Sequence, residues 1–176
     1  GDGLVRLADL KSAISREVSL VSIMMANNEV GTIQPIRELA EIAHGFGALF
    51  HTDAVQAAGK IPISVKGLGI DMMSISSHKI NGPKGVGALY IRRGLDLMPL
   101  IHGGGQESEL RSGTENVPGI VGFGKACELA TKHLSVYQKQ VSELRDYLVD
   151  QLLDEIPHSR LNGSITNRLP ANAHFT

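Results

Sequence analysis

The sequence predicts an α/β fold, a largely parallel sheet with flanking helices. Three observations carry that prediction. Short apolar runs of strand length alternate with segments whose apolar residues recur every three to four positions. The runs end in polar turns instead of continuing. The residues able to do chemistry gather where those runs end, and ligands of open α/β sheets sit beyond the carboxyl ends of the strands.

The elements follow in order. Leu7–Glu17 carries Leu7, Leu10, Ala13 and Ile14 at helical spacing. Ser19–Ala26 is a short apolar run, read as a buried strand that breaks at the polar turn Asn27-Asn28-Glu29-Val30-Gly31. Pro35 opens a second helix through Phe46, because the missing N–H of proline costs nothing in a first turn. Ala48–Thr52 is the next strand and delivers Asp53 at its carboxyl end. Asp71–Ser76 is another, ending at Ser77-His78-Lys79, and Gly85–Arg92 pairs back beside it. From Pro118 to Ile156 a helical pattern takes over, with spacing that allows one break near His133. Its apolar stripe is Tyr137, Val141, Leu144, Leu148 and Leu152. Leu169-Pro170 suggests that the segment from His158 onward leads into a separate small domain.

Composition narrows the function classes. The 176 residues carry 17 basic and 18 acidic side chains, a net charge of −1, which leaves no electrostatic footprint for DNA or an anionic membrane. No apolar run approaches the ~18 residues needed to cross a bilayer. Cys127 is the one cysteine, so no intrachain disulfide framework exists and a reducing, cytoplasmic compartment is expected. The seven histidines show no paired ligand spacing, and no metal site is expected. The chain opens Gly1-Asp2-Gly3 without methionine and stops at His174-Phe175-Thr176 in a strand-like stretch, which reads as a fragment of a longer protein.

The strongest constellation is Asp53-Ala54-Val55-Gln56 with Ser76-Ser77-His78-Lys79. A lysine directly after an apolar strand needs an exit to solvent or a chemical task. The task open to it is Schiff-base formation with an aldehyde cofactor. Pyridoxal 5'-phosphate would also need a carboxylate facing its pyridine nitrogen, and Asp53 is one. Gln56 could donate to the ring oxygen, and Ser76 and His78 could hold the phosphate. On spacing alone, Asp53 and Lys79 read equally well as an ordinary ion pair at a sheet edge.

Four segments shift that balance: ANNEVGTIQPI (26–36), HTDAVQAAGKIPI (51–63), SISSHKINGPKGVGALYIRRG (74–94) and HGGGQESELRSGTENVPGIVGFGKA (102–126). Together and in this order they resemble the NifS/IscS-type cysteine desulfurases. These lie in the class V aminotransferase group of fold-type I, pyridoxal-phosphate-dependent transferases. The resemblance implies that Lys79 bonds the cofactor aldehyde, that Asp53 partners the pyridine nitrogen and that Gln56 neighbours the ring hydroxyl. It places Asn28 on the ring side, and Ser76 and His78 at the phosphate. Thr114 would reach the cofactor phosphate of a neighbouring subunit, which implies a homodimer. His51 has no implied role and reads as a packed structural histidine.

The resemblance also divides the chain. Residues 1–125 would be the central and C-terminal part of the large cofactor-binding domain, 126–156 a linking helix, and 157–176 the truncated start of the small domain. The family's first phosphate-binding turn and ring-stacking histidine would precede Gly1. Its nucleophilic cysteine and substrate-binding arginine would follow Thr176. The implied activity of the whole is conversion of L-cysteine to L-alanine. Sulfur would pass to an enzyme persulfide for iron–sulfur cluster or thiolated-nucleotide synthesis, with scaffold or sulfur-acceptor proteins as partners. Alternatives are a selenocysteine lyase, another enzyme of the same group, or a truncated paralogue serving as a dimerisation or docking module.

Two further features read as structural. Gly119–Ala126 fits G-x-x-x-x-G-K, but Ala126 stands where a P-loop needs Ser or Thr, and the run leads into a helix without a preceding strand. Cys127 sits in good helix-forming sequence and reads as a small buried hydrophobe.

Overall fold

The computed structural model describes residues 2–176. A single four-stranded sheet has the order β1 (Leu20–Ser22), β2 (Leu49–Asp53), β3 (Met72–Ser76) and β4 (Gly87–Ile91). The first three strands are parallel, with Leu20 opposite Leu49 and Asp53 opposite Ser74, so their carboxyl ends share one edge. β4 runs antiparallel to β3, Ser76 facing Gly87. The reversal needs a tight return. A 3₁₀ turn at Ser77–Ile80 ends on Asn81 in the left-handed region, φ 63°, a conformation asparagine tolerates better than most residues.

Alternation along the strands sets the two faces. Val21, Phe50 and Thr52 are buried, while His51 is half-buried and Asp53 exposed. The buried face meets α2 (Ile36–Gly45), whose Ile36, Leu39, Ala40 and Ala43 join Val21 and Phe50 in one core cluster. Leu39 and Phe50 are fully buried, each contributing about 1.5–3 kcal/mol of apolar transfer. Leu169 belongs to that same cluster, so the C-terminal segment shares the core of the sheet.

The opposite end of the sheet is tied by a buried carboxylate. Asp71, 2% exposed, accepts from the Phe50 N–H (2.8 Å) and from Arg92 Nε (2.6 Å), and lies 2.8 Å from His44 Nε2 at the last turn of α2. Burial alone would push this carboxyl up. Its three partners outweigh that and hold it below the usual carboxylate range.

Several elements are shorter than their apolar pattern. α1 (Leu7–Ala13) stops where Ile14 turns extended to enter the core. β1 ends at Ser22, although the N–H groups of Ile23 and Met25 still donate to His51 and Asp53 along β2. The break near His133 that the spacing allows does not occur. α3 runs unbroken from Val117 to Glu155, because neither glycine nor proline interrupts residues 125–156. Asn116 caps it by accepting from the Gly119 N–H at 3.1 Å, and Pro118 lies in its first turn. The predicted stripe is only partly covered: Tyr137, Val141 and Leu152 are half-buried, whereas Leu144 is 69% and Leu148 48% exposed. The buried residue of that turn is Val149. The Gly119–Ala126 run lies within α3, as its reading as helix requires.

Candidate functional site

The carboxyl edge of the parallel strands carries the candidate residues. Asp53 ends β2, Ser76 ends β3, and His78 and Lys79 occupy the 3₁₀ turn that follows. Asn28 lies in the turn just beyond the Met25 N–H, which donates to the Asp53 carbonyl at 2.8 Å. The parallel register thus brings Asn28, Asp53 and Ser76 to neighbouring strand ends, with Lys79 after the last of them.

Each side chain has a free working end. Asp53 Oδ1 accepts from the Val55 N–H at 2.8 Å, leaving its second oxygen without a protein partner among the described residues. Gln56 Oε1 accepts from Lys60 Nζ at 3.1 Å, which turns the Gln56 NH₂ to the remaining side as a donor. Ser76 Oγ lies 2.9 Å from His78 Nδ1, so a hydroxyl and an imidazole act together at the turn. Asn28, Asp53, His78 and Lys79 are all exposed. Neither Asp53 nor Lys79 takes part in a salt bridge among the described residues, which removes the ordinary ion-pair reading.

Lys79 opens onto a cavity of about 480 Å³ lined by Lys60, Ile80, Asn81, Ala126, His133 and Tyr137, among others. Burial pushes the Lys60 ammonium below the usual lysine range, and the neighbouring charge of Lys79 adds to the effect. Burial also pushes the Tyr137 hydroxyl up. Sequence reasoning missed Lys60. The signal was available, since Gln56 and Lys60 are four residues apart on a tightly turned segment.

Close packing behind the turn fixes Lys79. Gly59, at φ +70°, lies against Ile80, and a Cβ there would stand 2.7 Å from Ile80 Cγ2 and 3.0 Å from Ala130 Cβ. Ile80, Phe123 and Ala126 form a second small core that seats the turn on α3. Ser77 Oγ is fully buried beneath Gly82 without a hydrogen-bond partner.

Other predicted residues stand apart. Thr114 is exposed on the segment before α3, and no hydrogen bond joins it to the other candidates. His51 spans the sheet: its Nδ1 lies 2.7 Å from Ser22 Oγ on β1 and its Nε2 2.9 Å from Ser74 Oγ on β3. Desolvation pushes its pKa down, with Asp53 acting weakly the other way. A half-buried imidazole bonded to both neighbouring strands fits the packed, structural reading. Cys127 is half-buried on α3, and burial pushes its thiol up, away from the thiolate a reactive cysteine needs.

A carboxylate with one free oxygen, an outward amide, a hydroxyl–imidazole pair and an unpaired amine lie along one sheet edge, and of these groups only the amine lines the cavity. This donor set suits a ligand with a basic ring nitrogen, a ring oxygen, an anionic group and an aldehyde.

Comparison with known proteins gives the family of the chain. The profile of a family described as "Aminotransferase class-V" matches residues 1–176. A cysteine desulfurase IscS of Dictyoglomus turgidum is 53% identical over 175 residues, covering 99% of this chain and 44% of that protein. One from Methanosarcina thermophila is 54% identical over 174 residues, 99% of this chain and 43% of that protein. Among solved structures, a NifS-like protein superposes with a TM-score of 0.90 at 47% identity, covering 96% of this chain and 46% of that one. A NifS-like protein from Rickettsia africae gives 0.90 at 41% identity, with 96% and 48% covered. The chain thus spans less than half the length of the curated relatives it matches.

Proposed function

The chain belongs to the class-V aminotransferase family, and from that premise we propose that it forms the central part of a pyridoxal-phosphate-dependent cysteine desulfurase. The observation that carries the reading is the unpaired Lys79 on the turn after β3, beside an Asp53 carboxylate with one oxygen free. Pyridoxal phosphate supplies an aldehyde that captures amines and a ring that draws electrons from the substrate Cα when its nitrogen is protonated.

The chain's own residues then take separate tasks. Lys79 Nζ would hold the cofactor aldehyde, and its free amine would accept the proton from the substrate Cα. The free oxygen of Asp53 keeps the proton on the ring nitrogen. Gln56 donates from Nε2 to the ring oxygen, oriented by Lys60 at its other end. Ser76 Oγ and His78 hold the phosphate, and Asn28 borders the ring. L-cysteine would leave as L-alanine, its sulfur passing to a cysteine thiol elsewhere in the enzyme and on to acceptors in iron–sulfur or thionucleotide synthesis.

Thr114 is assigned to the cofactor phosphate of a second copy, in a homodimer. Its exposure supports that reading, as does that of Met98 and Leu100, each 92% exposed, and of Val117 and Val121. The single unpaired Cys127 supports a cytoplasmic location.

The test is borohydride reduction of the full-length enzyme, peptide mapping, and product analysis with L-cysteine and selenocysteine. Cofactor on Lys79 and alanine from cysteine are expected. Cofactor on Lys60 or Lys84 would overturn the site, and turnover of selenocysteine alone would overturn the substrate.

A further inference from the structure

Arg168 is 6% exposed and has no carboxylate partner among the described residues. A buried guanidinium without a counter-charge is costly unless its N–H groups are saturated. Here four of its five N–H groups are taken up, all by neutral oxygens. Nε donates to the Ser164 carbonyl (2.9 Å), one terminal nitrogen to Asn172 Oδ1 (2.7 Å) and the Asn172 carbonyl (3.4 Å), and the other to the Asn162 carbonyl. Arg168 therefore gathers residues 162–172 into one rigid loop.

That loop grips the segment 29–33. Asn172, its oxygen held by Arg168, donates from Nδ2 to the Glu29 carbonyl at 2.6 Å. The Leu169 N–H donates to the Gly31 carbonyl (2.9 Å), and the Ile33 N–H donates to the Asn167 carbonyl (2.8 Å). The Ser164 N–H donates to the fully buried Thr32 Oγ1 at 3.1 Å. Contact is tight enough that a Cβ on Gly31 would collide with the Asn172 side chain, and one on Gly163 would stand 2.6 Å from the Val30 carbonyl. From within, Asn27 Oδ1 accepts from the Glu29 and Val30 N–H groups at 2.8 and 2.9 Å. The turn clasped from both sides is the one that presents Asn28.

The geometry points to Arg168 as a positioning residue for the cofactor site: through Asn172 it fixes the 27–31 turn and so holds Asn28 at the sheet edge beside Asp53. This rests on the functional reading above for what Asn28 touches. The clasp itself rests on the hydrogen bonds alone. Nothing in the sequence announced it, because the partners lie more than 130 residues apart.

The test uses the full-length enzyme with Arg168→Gln, Arg168→Lys, Asn172→Ala and Asn28→Ala, and reads two quantities. The first is amide hydrogen exchange at Val30 and Gly31 in the protein freed of cofactor. Arg168→Gln and Asn172→Ala are expected to speed it by on the order of tenfold, the effect of losing one hydrogen bond that holds a turn. Arg168→Lys, with no fork to span the acceptors, should fall close to Arg168→Gln. The second is the cofactor dissociation constant in a double-mutant cycle. Arg168→Gln should weaken binding alone and add nothing in the Asn28→Ala background.

Unchanged exchange in the gentler Asn172→Ala variant would overturn the clasp. Additive losses in the cycle would show that Arg168 acts on stability and not through Asn28. If the unsubstituted enzyme bound no cofactor at Lys79, the functional reading would fail, while the exchange measurement would still decide the clasp.

Discussion

Replacing Asp71 with alanine should destabilise the fold by about 3 kcal/mol, most of it from one orphaned backbone group. The carboxylate is 2% exposed and bonded to the Phe50 N–H, Arg92 and His44. Removing it leaves the Phe50 N–H, on a fully buried residue, without a partner, at a cost of about 1–3 kcal/mol. The two side-chain partners lose less. Arg92 is 51% and His44 42% exposed, so water takes over and each loss is on the scale of a surface pair, about 0–1 kcal/mol. Urea unfolding followed by circular dichroism reads the change. With a slope of about 2 kcal/mol per molar, the midpoint should fall by about 1.5 M.

The pH dependence supplies a second check. Because the folded carboxyl is held below its ordinary value, its contribution is present above the unfolded value of about 3.9 and is lost as pH falls through the folded one. The gap between parent and variant should thus be present at neutral pH and close in stronger acid. An unchanged midpoint at neutral pH, or a gap that widens in acid, would refute the reasoning.

Four shorter expectations concern chemistry. Lys79→Ala should abolish the visible absorption of bound cofactor; retained absorption would place the covalent link elsewhere. Asp53→Ala should depress turnover far more than cofactor retention, since the covalent and phosphate contacts remain, and near-normal alanine production would remove its assigned role. The isolated 176-residue chain should release no sulfide from cysteine above a free-cofactor control. Cys127→Ala in the full-length enzyme should keep persulfide formation, because the thiol is half-buried and pushed up by burial.

The strands were legible because they are short apolar runs closed by polar turns; the same turns placed Asp53 and Lys79 at strand ends, while the roles expected of them came from the resemblance of four segments and not from spacing. What stayed hidden depends on contacts that no local pattern encodes. The Ser22–His51–Ser74 line crosses three strands and requires the register, not the residues, to be known. The extent of α1 was overread because Ile14 fits a helical stripe equally well when it turns extended into the core. A break near His133 was allowed by the spacing alone; with no glycine or proline present, nothing physical demanded it. Lys60 was passed over because its role needs the Gln56 oxygen to face it, a side-chain choice made by packing.

The long helix has a mechanical consequence. Ala126 packs on the Lys79 turn through Ile80, while Arg145 donates to the Leu169 carbonyl of the loop that grips the Asn28 turn. Those two anchorages are separated by about 28 Å of helix at 1.5 Å per residue. Sheet, strut and returning loop are therefore joined at two points, one on the turn after β3 and one on the loop that meets the 27–31 turn. A 5° swing about the Ala126 joint would carry the Arg145 joint by about 2.5 Å over that length, enough to break a hydrogen bond. A tilt of the helix is consequently felt together at the turn that carries Lys79 and at the loop that holds the Asn28 turn.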